Sequence, residues 1–561
     1  MKRVLPFGLV FVLAGCFNFR TAEEEWCRIN ADAGLCDGGG GATGGGGGGG
    51  EMTGGGTGGG GAVVQDAGED AGIDAGEDAG VDAGEDAGVD AGIDAGIDAG
   101  VDAGRPWLRI AGEFDSTYQR VGQIGVSAEG DLVLAASVQG VSNFGGPDVD
   151  TGASMTPDVV LSRSDRNGVQ LSQWVFGGVA DDEVVGAGLD HRGNTWTAFN
   201  LATNENLGLD GGDFVTGGSL VIPATALVRV SDDGGVGVTR LHANGNVFGS
   251  DTLRVSPSGT VLIGGPNLVT VSINGVSANT ACRVAGGLDS AGGRHAWWLS
   301  FAPDGTCAFL SGVSCTPGNV DLIDLAIDPN ANDDQFGVAA VDSAHSCNIG
   351  NQSVNATSAG LLVARTGADG GSKGAYFVDH AAGPARVAMS GNNILLFGSL
   401  SGPSATLMAD AGPDRDIFVV KLSNNTLQPV FSTLLFLKSN GDDLVHQAQR
   451  GPDGKMWLVA EYRGDGLRLP GIAFDGGTHT PSRPGFFVAR VDPITMLVES
   501  AWPLNIEGGA TITGMGFGPD GELLLAGAID GGTRVDFGTG FMTAGSQVGK
   551  TSVFFGRPDL P

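Results

Sequence analysis

The chain has 561 residues, with 64 acidic side chains against 30 basic ones and a formal net charge of −34 at pH 7. That shortage of Lys and Arg leaves little to neutralise phosphates, which excludes sequence-independent binding to nucleic acid. Hydrophobic residues make up 41% and glycines number 101, a balance that suits an all-β, turn-rich domain. Beyond the N-terminus no run of 18 apolar residues supplies a transmembrane helix.

The first residues are Met1, Lys2 and Arg3, followed by an apolar run from Val4 to Ala14 and the tetrad Leu13-Ala14-Gly15-Cys16. A positive start and a short apolar run make a secretory signal, too short to span a bilayer in a mature chain. The tetrad resembles the lipobox of bacterial lipoproteins, and the resemblance implies a signal peptide over 1–15 with Cys16 as the lipidated first mature residue. Loss of Lys2 and Arg3 moves the formal charge from −34 to −36. Phe17 follows the Cys where an inner-membrane retention signal of the enteric type has Asp, so the outer membrane is the expected address.

An anchor-proximal segment, 16–37, holds Cys27 and Cys36, which are spaced to close a small loop. Low-complexity sequence then occupies 38–104. It is Gly-rich from Gly38 to Gly61, then becomes ten Asp-Ala-Gly triplets from Asp66 to Asp102, with Glu69, Glu77 and Glu85 added. Gly at every fourth position opposes a helix, and Asp at every fourth position would stack like charges on one helical face. The segment is therefore predicted to be a disordered, solvated linker with an average span of roughly 45 Å. Its apolar residues recur too irregularly for the acidic nonapeptide β-roll that binds calcium.

From 105 to 561 one unit recurs about every 65 residues: a strand, a tight turn, a second strand, a long loop, and a hairpin of two more strands. In the second unit these are Val184 to Leu189, the turn Asp190 to Asn194, Thr195 to Phe199, Ala226 to Val230 and Val236 to Leu241. Seven such first turns predict a seven-bladed β-propeller of four-stranded blades. The last unit lacks a fourth strand because the chain stops, and Trp107-Leu108-Arg109-Ile110 is predicted to supply it, pairing the two ends of the domain and removing exposed edges. The turn Asp190 to Asn194 and the triplet Phe176-Gly177-Gly178 resemble the bacterial surface propeller repeats of the SBBP type. That resemblance implies a secreted or surface-attached propeller and brings no catalytic residues with it.

The loops between second and third strands, at 140–157, 202–224, 265–294, 342–359, 401–415, 464–484 and 529–550, are expected to share one face, where binding usually resides. They carry Asp148, Asp150, Asp210, Asp213, Asp289, Asp410, Asp414, Asp475 and Asp536, which makes this face a candidate for cations, calcium among them, or for a basic partner. The alternative is that these Asp only solvate Gly-rich loops. Four further cysteines, Cys282, Cys307, Cys315 and Cys347, fall in units three and four. Of three connectivities, Cys315 with Cys347 is preferred, leaving Cys282 with Cys307. Cys315 is expected in the connection between the two units and the pattern is not that of a zinc site. The seven His (His191, His242, His295, His345, His380, His446 and His479) occupy non-equivalent positions and do not converge by symmetry. Pro452-Asp453-Gly454-Lys455-Met456-Trp457 reads as a β-turn with a packed Trp, because it lacks the Ser and the spacing of a sialidase Asp-box. No nucleophile elbow, zincin helix or phosphate loop occurs.

The leading expectation is thus a non-enzymatic, monomeric binding or structural module, exported and anchored to the cell envelope, with no cofactor and with a glycan or protein ligand. The competing expectations are an extracytoplasmic carbohydrate hydrolase or lyase that uses loop or channel carboxylates, and a calcium-stabilised adhesin.

Overall fold

The computed structural model describes residues 105–560 except 116–120, 151–156, 178–181, 202–206, 210–211, 215–223, 244–251, 266–270, 274–275, 278–280, 285–294, 317, 331–332, 465–466, 468, 470–484 and 546–549. Every regular element among the described residues is a strand. Among the described residues the strands form seven larger sheets, each built on four antiparallel strands, and three two-stranded hairpins; in six of the seven the four strands follow sequence order. The first sheet comprises Gly125–Val126, Leu132–Val138, Asp158–Ser164 and Gln170–Phe176. The second comprises Asp182–Leu189, Thr195–Leu201, Ala224–Val230 and Val236–Ala243, so the strands read from the second unit are present with slightly longer ends. The remaining five begin at Leu253, Val320, Ala381, Asp443 and Ala510. The last sheet takes its fourth strand from the other end of the domain: Trp107–Asp115 pairs antiparallel with Lys550–Arg557, Trp107 opposite Arg557 and Ile110 opposite Phe554.

Second and third strands are apolar on both faces because each sheet is covered on both faces. In the second strand of the first sheet, Leu132, Leu134 and Ala136 pack toward Leu524, Ala526 and Phe555 of the seventh sheet. The alternate residues Val133 and Ala135 pack toward Val184, Phe199 and Val228 of the second. The same arrangement recurs along the chain. Seven apolar clusters each join one sheet to the next, and one of them joins the seventh sheet to the first.

Where first strands meet, small residues set the spacing. A Cβ on Gly125 would lie 2.6 Å from the Leu189 backbone nitrogen, and one on Gly514 would lie 3.1 Å from that of Ile124. The tight turn between first and second strands is organised by a side chain. Asp190 accepts from the backbone N–H groups of Arg192 (2.9 Å) and Asn194 (3.0 Å), and Gly193 takes φ 78°, a left-handed conformation that suits glycine.

The long loops differ from expectation, since several are hairpins. Val271–Ile273, in the loop of the third unit, adds to the fourth strand of the second sheet. His345–Ile349 and Gln352–Ala356, in the loop of the fourth unit, add to the fourth strand of the third. Arg534–Asp536 and Met542–Thr543, in the loop of the seventh, add to the fourth strand of the sixth. Three sheets therefore exceed the four strands predicted for them. The physical reason is edge protection, because the fourth strand of each sheet would otherwise present unpaired backbone groups. The loop of the fifth unit reaches back in a different way: Asp379, ending the fourth sheet, accepts from Ser404 Oγ and from the N–H groups of Ala405 (2.9 Å) and Thr406 (3.0 Å).

Candidate functional site

The first strands of all seven sheets line one cavity of about 510 Å³. Several of these strands carry a bulge, at Val184/Gly186, Leu322/Asp324, Ala382/Arg386, Val445/Gln447 and Ile512/Gly514. A bulge re-aims the residue that follows it. Asp324, Arg386 and Gln447 are those residues in the fourth, fifth and sixth sheets, and Gln123 occupies the matching place before Gly125 in the first; all four line the cavity.

Hydrogen bonds knit this polar level together. Gln123 Nε2 donates to Gln447 Oε1 (3.3 Å), and Gln447 Nε2 donates to the Thr513 carbonyl of the seventh sheet (2.7 Å). Asp324, 1% exposed, pairs with Arg254 of the third sheet and accepts from the Val387 N–H of the fifth (2.8 Å). Below this level the walls turn apolar, with Ile124, Leu253, Leu325, Val387 and Met515. The cavity then runs to the short-turn end, where Pro257, Pro329, Asn330 and Arg450 line it. A neighbouring hollow of about 450 Å³ shares Ile124, Val126, Gln449, Arg450 and Met515 with it and extends to Gly451 and Pro452.

The charged residues of the lining are Arg254, Arg386, Arg450 and Asp324. Arg386 is 7% exposed and donates to the Ala385 carbonyl (3.0 Å), whereas Arg450 is exposed. Sequence reading did not find this site. The available signal was a polar residue interrupting an apolar first strand four positions before the turn, visible only once the units are aligned by their turns.

Of the acidic loop residues expected on a binding face, those whose side chains are described have neighbours close by in the chain. Asp148 accepts from Asn143 Nδ2 (2.8 Å) within its own loop. Asp410 and Asp536 accept from backbone N–H groups of Gly412 (2.9 Å) and Gly538 (2.8 Å), organising turns. Asp414 adjoins Asp416 and helps to raise its pKa. Asp150 and Asp213 lie in short strands, Val149–Asp150 and Gly212–Phe214. Asp210, Asp289 and Asp475 lie outside the described residues, as do Cys16, Cys27, Cys36 and His479. Among the described residues no three His, Cys, Asp or Glu side chains are placed to hold a metal ion.

The structure bonds Cys282 to Cys307 and Cys315 to Cys347. Cys315 lies within the fourth strand Cys307–Thr316, not in the connection where it was expected, and sits opposite Cys347 in the added hairpin. The strand runs on because that hairpin supplies hydrogen-bond partners for its last residues. Phe176 of the repeat motif is fully buried and stacks on Phe199 at 5.4 Å, while Trp457 stacks on Trp502 at 5.6 Å; both are packing residues.

Several ionisable groups outside the cavity are perturbed. Burial pushes the Asp443 carboxyl up to about 7, with the Asp416 charge adding to the rise and hydrogen bonds from Ser439 opposing it. Asp416 is likewise raised by burial, against the pull of Lys438 at 2.9 Å. Burial also acts to raise Glu461, but hydrogen bonds from His446 and Arg463 outweigh it and hold the carboxyl down at about 2. Asp443 is fully enclosed between the fifth and sixth sheets, where its carbonyl accepts from Ser399 Oγ (2.9 Å). Its place is structural.

No family model matches the chain, and no curated protein matches it. Solved structures similar to it include a protein of unknown function from Dyadobacter fermentans (12% identity, TM-score 0.31, covering 80% of this chain and 98% of that one). A sucrose-6-phosphate hydrolase from Lactobacillus gasseri is similar at 9% identity and TM-score 0.26, covering 83% and 94%. The extracellular domain of a one component system from B. thetaiotaomicron is similar at 10% and 0.24, covering 78% and 54%. Likeness at this level assigns no substrate or activity to the chain.

Proposed function

We propose that this chain is an exported ligand-binding protein, lipidated at Cys16 and held to the outer membrane through an acidic linker, whose seven sheets are the blades of a propeller. The observation that carries the reading is the single cavity of about 510 Å³ to which all seven first strands contribute. Small-ligand pockets are concave and use a few convergent polar groups to fix orientation, and Gln123, Arg254, Asp324 and Gln447 supply such groups here. The apolar cluster joining the seventh sheet to the first supports the closed propeller. Asp324 is the one carboxylate in the lining among the described residues, and it is engaged by Arg254 and the Val387 N–H. Hydrolysis of a glycosidic bond usually takes two carboxyl groups, so the lining favours binding over that chemistry.

The test is thermal unfolding of the full chain against a panel of envelope-derived mono- and oligosaccharides, with calcium and a chelator alongside. A ligand of the folded state raises stability as RT ln(1 + [L]/Kd). The reading expects a rise with at least one saccharide that Ala448→Trp, which fills the cavity wall, abolishes. A rise with calcium alone, or one that survives Ala448→Trp, overturns it.

A further inference from the structure

We infer that the central cavity takes an uncharged, hydroxyl-bearing ring, a neutral sugar, and holds it at the short-turn end. The inference rests on the cavity being a ligand site and adds the chemical class and the place of contact. Its ground is that the charges inside the lining are committed to the fold. Asp324 pairs with Arg254 and accepts from the Val387 N–H (2.8 Å). Arg386 is buried, donates to the Ala385 carbonyl (3.0 Å) and has a further partner in the chain. Of the charged residues in the lining only Arg450, at the turn end, is exposed.

A charged ligand entering this space would leave water with no uncommitted opposite charge to receive it, a heavier cost than burying a neutral group that finds hydrogen-bond partners. The groups that remain suit hydroxyls. Gln123 spends its Nε2 on Gln447 (3.3 Å), and Gln449 and Asn330 are exposed where the cavity meets the turns. An amide carries both a donor and an acceptor, the two things a hydroxyl needs. Ile124, Leu325, Val387 and Met515 give apolar walls for the C–H faces of a ring, and a volume of about 510 Å³ is that of a small-ligand site. The place of contact follows from the polar level. On the first, fourth, fifth and sixth sheets the lining begins at Gln123, Asp324, Arg386 and Gln447 and continues only toward the turns, to Val126, Asn330, Met389 and Arg450. The long loops lie beyond the polar level, at the other end of the first strands.

The experiment is calorimetric titration of the full chain with matched pairs: galactose against galacturonate, glucose against glucose 6-phosphate, and N-acetylglucosamine against glucosamine below neutral pH. The pairs set a neutral sugar against an anion in two chemistries and against a cation. The expected result is that a neutral sugar binds at least roughly tenfold tighter than its charged partner, because the charged one loses hydration without compensation, and that added salt leaves its affinity unchanged. Gln449→Leu, at an exposed position of the turn end, is expected to lower that affinity roughly fivefold by removing a hydrogen bond. Val141→Trp, at an exposed position in the long loop of the first unit, is expected to leave it unchanged. A charged sugar that binds as tightly as its neutral partner or more so, and is lost in Ala448→Trp, overturns the neutral class while the cavity reading stands. Neutral-sugar binding that Gln449→Leu leaves intact, or that Val141→Trp weakens, overturns the placement at the turn end. Absence of binding to every probe overturns both readings.

Discussion

Replacing Asp443 by Asn removes a charge that the fold keeps enclosed, and the effect depends on pH in a calculable way. The carboxyl is raised from 3.8 to about 7 by burial. Because its folded pKa lies above its unfolded one, the stabilisation by the bound proton is complete below about pH 4 and is lost as pH rises through about 7. The isoelectric point near 4.3 makes pH 4 a poor condition, so the useful window is pH 5 to 8.5. Between pH 5 and 7 the wild type loses about 2 kcal/mol that the variant keeps, the slope of 1.36 kcal/mol per unit falling to half as pH reaches the folded pKa. Asn suits the site because it mimics the protonated acid. Its oxygen can accept from the Ser439 N–H, which donates to Asp443 at 2.8 Å, and its amide can donate to Ser439 Oγ, which lies at 2.6 Å. Urea denaturation of both proteins at pH 5, 7 and 8.5 reads the difference. A stability gap that stays constant across the three pH values would falsify the burial argument.

Two further perturbations test the packing. Cys315→Ser with Cys347→Ser opens a loop with a sequence separation of 32, which should cost about 4 kcal/mol in urea denaturation; equal midpoints for the double variant and the oxidised wild type would show that the hairpin needs no staple. Gly125→Ala places a Cβ 2.6 Å from the Leu189 nitrogen, whereas at Gly237 a Cβ meets nothing within 4 Å. The first substitution should destabilise by roughly 2 kcal/mol and Gly237→Ala by nothing measurable; matched midpoints would refute close approach between the first two sheets.

The repeating unit was legible because its signals are local. Asp190 and Gly193 mark a turn by their own chemistry, and runs such as Leu132-Val133-Leu134-Ala135-Ala136 are apolar on both faces because each sheet has two neighbours. The pairing of Trp107–Asp115 with the C-terminal strand was also readable, as a missing strand at one end matched a spare one at the other. The loop hairpins were not. Val271–Ile273 is only three residues long, and what makes it a strand is the open edge of another unit's sheet. Nor was the cavity, since Arg254, Asp324, Arg386 and Gln447 are scattered over nearly two hundred positions and meet only when the first strands are placed side by side. The acidic loop residues attracted notice by their number. Asp410 and Asp536 accept from nearby backbone N–H groups and Asp148 from the Asn143 amide, a role that spacing alone does not separate from ion binding.

The pairing of Trp107 with Arg557 also sets the order of events during folding. Closing a loop of that length costs on the order of 5 kcal/mol in chain entropy before any contact repays it. The last sheet can therefore complete only after the intervening clusters have brought the two ends near each other. Until Phe554 and Phe555 emerge, the first sheet has no seventh sheet to cover Leu132, Leu134 and Ala136. A chain that lacks the strand Lys550–Arg557 consequently exposes that apolar face, and the folded domain draws its cooperativity from the pairing of two strands far apart in sequence.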